Sequence, residues 1–419
     1  MKNPKLRFRA ADGSPFEEWK PVKVGDIAET CGGGTPATGN ASYWGGSIQW
    51  LTPTEINTKY VHSSERTITQ DGLRNSSAKL LPKGAIVLTT RATLGACSIN
   101  NFQGDVCTNQ GFQSLIGKSS VDSEFFYYLV ASKRFQKELE KKASGSTFLE
   151  VSPGNLKKIV VALPCKQEQD KIAQFFSTLD EKIALAERKL TALQTLKSGL
   201  MQKIFSREIR FKQENGTAFG EWRKFNFFEV VDSLNDCRGR PISKYGREWL
   251  TEKTEYLALS ALNVKEYGID YAVEPHYGDK ELYEKWMDGR ELHQGQVLLT
   301  TEAPAGVVMQ VPDNKKYILN QRVVALNANL EVVTEDFLAF LMRSPKVQRD
   351  IRKLSSGGTA IGISQKSLRG LFVQVPISKE EQNRIAAVLS AVDERIGLAI
   401  KKVSLLKQQK QAFLQQMFV

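Results

Sequence analysis

The sequence predicts an α+β protein: two mixed α/β domains separated by two long antiparallel coiled-coil helices, a tandem repeat with approximate two-fold symmetry. Three observations lead there. Apolar residues recur every 3.5 positions over two stretches, 167–205 and 379–418. Short β-like runs punctuated by Gly, Pro, Asn and Ser fill the roughly 140 residues before each stretch. Several segments of the first half return in the same order in the second, shifted by 203 to 213 positions.

The first helical row is Ile172, Phe176, Leu179, Ile183, Ala186, Leu190, Leu193, Leu200 and Ile204, in steps of four and three, with Lys197 as its one polar break. A period of 3.5 held over more than four heptads marks a coiled-coil seam rather than an ordinary amphipathic helix. No proline falls between Pro164 and Pro241, so nothing forbids one continuous helix. At 1.5 Å per residue such a rod is about 57 Å long. The second row, Ile385, Leu389, Val392, Ile396, Ala399, Val403, Leu406, Phe413 and Met417, repeats the first with a shift of 213, and Lys410 repeats the break. Ser378 and Glu381 form a capping-box pattern at its start, whereas the first rod has Cys165 at the equivalent place. Each seam needs a partner and the other rod supplies it. An antiparallel arrangement takes the chain out along one helix and back along the other, leaving each entry segment beside the end of a rod.

Those entry segments are also paired. Arg7, Phe8, Gly13, Phe16, Glu18 and Trp19 recur as Arg210, Phe211, Gly216, Phe219, Glu221 and Trp222. Each reads as a turn-rich piece that docks aromatic side chains before a domain begins. The predicted divisions are residues 1–19 (entry), 20–165 (first domain), 166–206 (first long helix), 207–222 (second entry), 223–377 (second domain) and 378–419 (second long helix). Inside the domains, strands are expected near 47–51, 84–90 and 295–301, single helices over 123–142 and 335–354, and small-residue loops at 144–147 and 356–359. Asn109-Gln110 and Asn320-Gln321 also correspond.

Composition narrows the function. A 41% hydrophobic and 25% charged chain with no run of about 18 apolar residues carries no membrane span. The first residues lack the apolar core of a signal peptide, so the expected location is cytoplasmic. Five scattered cysteines without CxxC spacing point to reduced thiols and no structural zinc. A net charge of +12 suits a polyanionic partner. The chain has no PP dipeptide of an NPPY-type methyltransferase motif and no GxGxxG loop. Phe112 stands where a phosphate-binding loop ending at Gly117-Lys118-Ser119 requires glycine. His62, His276 and His293 stand alone in sequence, and the acidic pairs Glu17-Glu18 and Glu380-Glu381 sit at helix starts or turns, where the helix dipole or solvent explains them.

Four strings, GGGTPATGNASYWGGSIQWLT, KGAIVLTTRATLG, NQGFQSL and above all LPCKQEQDKIAQFFSTLDEKI with its copy VPISKEEQNRIAAVLSAVDERI, resemble the specificity subunit of type I restriction–modification systems. The resemblance covers essentially the whole chain. It implies two target recognition domains, each reading half of a bipartite DNA site, and helices that set the spacer and dock two methyltransferase (M) subunits. Restriction/motor (R) subunits join the same complex. This chain would hold no cofactor: S-adenosylmethionine belongs to the methyltransferase partner, and ATP and Mg to the restriction partner.

Base edges are told apart by hydrogen bonds and methyl contacts in the grooves, and phosphates are held by cations. The candidate DNA contacts are therefore loop residues: Thr35, Tyr43, Trp44, Arg91, Thr93, Ser144, Ser146 and Thr147 in the first domain. In the second they are Arg238, Arg240, Lys244, Tyr245, Arg247, Arg322 and Thr359. For each, a solvated charge or a turn residue is the plain alternative. Gly32–Gly34 read as a flexible turn that could also bring backbone amides to phosphate. Arg91 aligns with Glu302 across the repeat, a divergence that fits two domains reading different half-sites. An autonomous DNA-modifying or DNA-cleaving enzyme and a coiled-coil protein scaffold remain the competing readings.

Overall fold

The computed structural model describes residues 4–91, 93–145, 149–237, 242–273, 275–356 and 362–418. The chain divides into two compact units, Met1–Glu187 with Lys402–Val419, and Arg188–Lys401. Each unit thus takes one half of each long helix, Lys166–Phe205 and Lys379–Met417.

In unit 1 a five-stranded sheet runs in the order Ala28–Gly32, Gln113–Gly117, Ile86–Leu88, Cys97–Asn100, Tyr60–Val61. A three-stranded sheet has Trp44–Leu51 between Arg66–Ile68 and Val106–Thr108, antiparallel to the first and parallel to the second. In unit 2 the corresponding sheets are Val231–Asp236, Val323–Ala328, Val297–Thr300, Val308–Gln310, and Tyr277–Gly278, Tyr256–Leu259, Tyr317–Leu319. The four-stranded sheet of unit 2 is antiparallel throughout, whereas the other three each contain one parallel pair. The strand that opens each domain pairs antiparallel with the strand that leaves it, Lys20–Lys23 with Val160–Leu163 and Trp222–Asn226 with Phe372–Pro376.

The expected single helices over 123–142 and 335–354 are each two. Ser123–Ala131 and Lys133–Lys141 break at Ser132, whose hydroxyl accepts from the Phe135 amide and so caps the second piece. Glu335–Arg343 and Pro345–Leu354 break at Ser344, before the proline that opens the next helix.

Inside each unit the halves of the long helices run antiparallel. Phe175 meets Phe413 with ring centroids 5.1 Å apart, and Glu187 meets Lys407 at 2.7 Å, so one number rises as the other falls. In unit 2, Lys197 meets Asp393 at 2.5 Å, while Met201 and Ile204 share a core with Ile385 and Leu389. The domain-proximal seam residues do more than pair helices. Ile172, Phe176 and Leu179 are buried in the core of unit 1 with Phe125, Tyr128 and Trp19. Ile385 and Leu389 are buried in that of unit 2. Ile183, Val392 and Ile396 are buried as well, whereas Leu190, Leu193, Val403 and Leu406 are only half-buried.

The polar breaks acquire partners. Lys197, its side chain 6% exposed, reaches Asp393 and Glu266 (2.7 Å), and Arg343 joins the same aspartate at 3.0 Å. Lys410 reaches Asp180 at 2.5 Å, where the Tyr128 hydroxyl donates at 2.6 Å. Burial, then the hydrogen bond to Asp180, pushes the Tyr128 phenol well above its ordinary range. Each lysine thus answers the aspartate of the repeated junction motif, and a charge in the seam is matched rather than stranded.

The entry segments explain the junction motif itself. Arg7 forks onto Glu168 (Nε 3.0 Å, Nη2 2.7 Å), and the Trp19 indole donates to the same carboxylate at 2.9 Å. Arg210 forks onto Glu381 (3.1 and 2.8 Å), joined by the Trp222 indole at 3.3 Å. The carboxylates are 0% and 1% exposed. The next residue anchors the domain: the Gln169 amide donates to the Ser120 and Pro164 carbonyls, and Gln382 does the same to Val332 and Pro376. The expected capping box at Ser378 is therefore half formed. The Ser378 hydroxyl accepts from the Glu381 amide at 3.3 Å, but the Glu381 side chain turns to Arg210. Solvent and the helix dipole are not what explains Glu381. Lys5 N donates to the Gln416 carbonyl at 2.9 Å, and Trp19 meets Phe418 at 6.2 Å, so the first entry segment lies beside the end of the second helix.

Candidate nucleic-acid interface

Each unit carries one irregular backbone frame at the end of its buried strand, and the two frames match bond for bond. In unit 1, Thr90 N donates to the Gly111 carbonyl (2.9 Å) and Val151 N to that of Thr90 (3.0 Å). Ser144 and Glu150 exchange both backbone hydrogen bonds at 2.9 Å. In unit 2, Thr301 N donates to Arg322 (2.8 Å), Ile363 N to Thr301 (2.8 Å), and Ser356 and Gly362 exchange theirs at 2.9 and 3.0 Å. The threonine one residue earlier closes each turn, Thr89 onto the Thr93 carbonyl and Thr300 onto that of Pro304. Chain segments far apart in sequence are thereby held side by side, with all these backbone groups satisfied.

The frames bring several predicted residues together. Arg91, Thr93 and Ser144 are exposed on the first, and the Arg91 guanidinium lies 3.8 Å from the Glu150 carboxylate. Arg322 is exposed on the second, with φ +69°, and its Nε lies 3.1 Å from the Glu302 carboxylate. Thr35 belongs to the same neighbourhood as Arg91, since its hydroxyl bonds the Gln110 side chain and Gln110 precedes Gly111 of the frame.

Other candidates are placed differently. Tyr43 ends a short 3-10 turn, its carbonyl accepting from Thr69 N at 3.0 Å. Trp44 is half-buried, edge-on to Trp50 at 5.0 Å, with the Arg66 guanidinium 3.6 Å above its ring. Tyr245 is likewise half-buried, against Trp286 at 5.3 Å, whereas Lys244 beside it is exposed. Arg247 is bound to Asp279 at 2.9 Å and to Glu281. The Lys285 hydrogen bond, and then Arg247, hold the Glu281 carboxyl below its usual range. Ser146, Thr147, Arg238, Arg240 and Thr359 lie outside the described residues.

Sequence reasoning misses Arg66 and Glu150, and it meets Glu302 only as the counterpart of Arg91, without its partner Arg322. Arg66 carries no signal until the fold sets it on Trp44. Glu150 carries none because acids are poor phosphate ligands. Gly33 and Gly34 are not a free turn. A Cβ at Gly33 would meet the Asn109 carbonyl at 2.0 Å, and one at Gly34 the Ala78 amide at 2.3 Å, so glycine is needed for close approach. In unit 2 a cavity of about 400 Å³ opens beside the frame, lined by Trp249, His276, Trp286, Asn320 and Arg322 among others. His293, alone in sequence, meets Glu335 at 2.8 Å. Among the described residues no cluster of three or more His, Cys, Asp or Glu is placed to hold a metal, and no helix is long and apolar enough to cross a membrane.

Two matched frames with different exposed side chains, each on its own α/β unit, define a duplicated α/β module. The model of the type I restriction modification DNA specificity domain matches residues 16–195 and again 220–408, and the chain belongs to that family. It is 36% identical over 211 residues to the type I restriction enzyme MjaIX specificity subunit of Methanocaldococcus jannaschii, covering 49% of this chain and 48% of that one. It is 25% identical over 199 residues to the EcoR124I/EcoR124II specificity subunit of Escherichia coli (47% and 46% covered). With the MjaVIII specificity subunit of M. jannaschii it shares 23% over 416 residues (94% and 90%). The chain spans about half the length of the first two of these relatives. Its fold is similar to the crystal structure of a type I restriction–modification S subunit from M. genitalium, with TM-score 0.60, 14% identity, and 100% and 99% of the two chains covered. A second solved chain, from work on complex assembly and conformational transition of the type I R-M system, gives TM-score 0.56 at 18% identity over 96% and 97%.

Proposed function

We propose that this chain is the DNA sequence-recognition subunit of a type I restriction–modification complex and performs no chemistry itself. The observation that carries the reading is the duplication of the DNA specificity domain within one chain. Two such domains suit a bipartite target, each reading one half. Residues 20–165 and 223–377 act as the target recognition domains, and the paired long helices, 166–206 and 378–419, set the spacer between half-sites and dock two methyltransferase subunits. Restriction/motor subunits complete the assembly in the cytoplasm. S-adenosylmethionine is used by the methyltransferase partner, and ATP with Mg by the restriction partner.

In each domain the exposed frame faces the duplex. Thr35, Arg91, Thr93 and Ser144 supply the first set of contacts, and Lys244, Arg247 and Arg322 the second. Arginine offers a planar fork for guanine O6 and N7, while the hydroxyls serve either donors or acceptors. The cations add phosphate contacts that fix register without reading sequence.

The test is methylation with radiolabelled S-adenosylmethionine. The purified chain alone transfers no methyl group to DNA; with its methyltransferase partner it directs label to adenine in one bipartite motif. Label incorporated by the lone chain would establish an autonomous enzyme instead. DNA binding by the assembled complex that is indifferent to salt would favour a protein scaffold, because phosphate contacts impose a negative salt slope.

A further inference from the structure

Each recognition frame holds one arginine against one glutamate, and the two copies do so with different residues. In unit 1 the arginine is Arg91 and the acid Glu150. In unit 2 the position equivalent to Arg91 is Glu302, the position equivalent to Glu150 is Gly362, and the cation comes from Arg322, where unit 1 has Gly111. Had the pairing been a by-product of one residue's placement, changing the sign at that position would have left an unpaired acid. The partner has changed with it. The backbone frame leaves little choice of neighbour, because Glu150 bridges both Arg91 and Ser144, and Thr301, next to Glu302, is hydrogen-bonded to Arg322.

We infer that Glu150 and Glu302 are specificity-determining residues of the two recognition frames: each occupies its arginine until a base edge displaces it. The inference rests on the DNA-recognition reading. In a chain of net charge +12, unpaired arginines on the DNA face would hold any duplex through its phosphates, which carry no sequence information. A carboxylate placed on the guanidinium competes with a single phosphate oxygen, and it presents a like charge to the backbone of a wrong site. Guanine O6 and N7 accept two hydrogen bonds from the arginine fork, and that exchange is favourable only where guanine is present. The frame pairs are about half exposed, so the exchange is cheap and reversible. Specificity is gained here by weakening the wrong complex more than the right one.

The experiment measures binding of the chain, assembled with its methyltransferase partner, to a duplex lacking the target and to one carrying it, over a range of salt. Glu302→Gln and Glu150→Gln keep shape and remove charge at exposed positions, and circular dichroism checks that the fold is unaltered. Each raises affinity for the non-target duplex by about two- to fivefold, the scale of an exposed ion pair. Each also steepens the slope of log K against log salt by about 0.9, one added phosphate contact. In the double variant Glu302→Gln/Arg322→Ala the gain disappears. Unchanged non-target affinity overturns the inference. If, in addition, target binding falls, the glutamate is itself a base reader, such as an acceptor for the cytosine amino group. Failure of the wild-type complex to bind either duplex would refute the recognition reading as a whole, a result distinct from both.

Discussion

Replacing Arg7 by Ala tests the account of the entry segments. The Arg7 fork makes two charge-assisted hydrogen bonds to Glu168, and after its removal only the Trp19 indole remains on a carboxylate that is 0% exposed. Breaking a buried ion pair by deleting one partner costs about 3–5 kcal/mol, because the surviving charge is left uncompensated. The Arg7 side chain is 22% exposed, so water enters the vacated space and the lower end, about 3 kcal/mol, applies. For a unit of roughly 200 residues, at about 2–4 °C per kcal/mol, Tm should fall by about 6–12 °C. Arg7→Lys keeps the charge, loses the fork and should lose about half as much. Guanidinium denaturation followed by tryptophan fluorescence measures it, with Trp19 as a local reporter. As a control, Lys141→Ala, which breaks an exposed i,i+3 pair with Glu138, should change stability by less than about 0.5 kcal/mol. The reasoning is refuted if Arg7→Ala lies within about 1 kcal/mol of wild type. Arg210→Ala must behave alike, since its fork onto Glu381 has the same geometry.

Three further outcomes are expected. Because Tyr128 titrates above its ordinary value in the folded chain, its contribution to stability is present below pH about 10, where the unfolded phenol ionises, and is lost as pH rises beyond it. Denaturation midpoints compared at neutral and strongly alkaline pH should show that loss, and Tyr128→Phe should reduce it. Inserting four residues near 190–196 of the first long helix moves one domain by about 6 Å along the axis, close to two base pairs of B-DNA rise. Sequencing of the methylated motif should show a changed spacer and unchanged half-sites; changed half-sites with the old spacer would end the ruler idea. Exchanging residues 20–161 for the matching segment of another family member should alter one half-site only, which the same sequencing reads directly.

Patterns that are local or periodic are legible in the amino-acid sequence alone. The 3.5-residue rows, the shift of 213 between them, and the turns that punctuate the domains each follow from backbone geometry and side-chain burial acting over a few residues. They determine two α/β domains with two long helices, and internal repetition supplies the antiparallel direction. What stays hidden are partnerships between residues far apart along the chain. Lys197 reads as a flaw in the seam until Asp393 and Glu266 are set beside it. Glu381 reads as a helix-capping acid until Arg210 takes it. Even a local feature can hide: Ser132 reads as one more residue of a helix until its hydroxyl caps the next one.

The candidate contact residues show the same division. Composition singles out arginines and hydroxyls on loops, which is all that residue type can establish. Tertiary structure decides which of them share a frame, that Trp44 and Tyr245 are committed to packing, and that Arg91, Arg247 and Arg322 each face a carboxylate. The physical reason is that charge pairing depends on distance in space, and the segments that supply the partners are joined only when the strands fold together. By itself the sequence determined a duplicated, basic, two-domain protein of the DNA specificity family. The fold alone decided which charges on its surface are held in check.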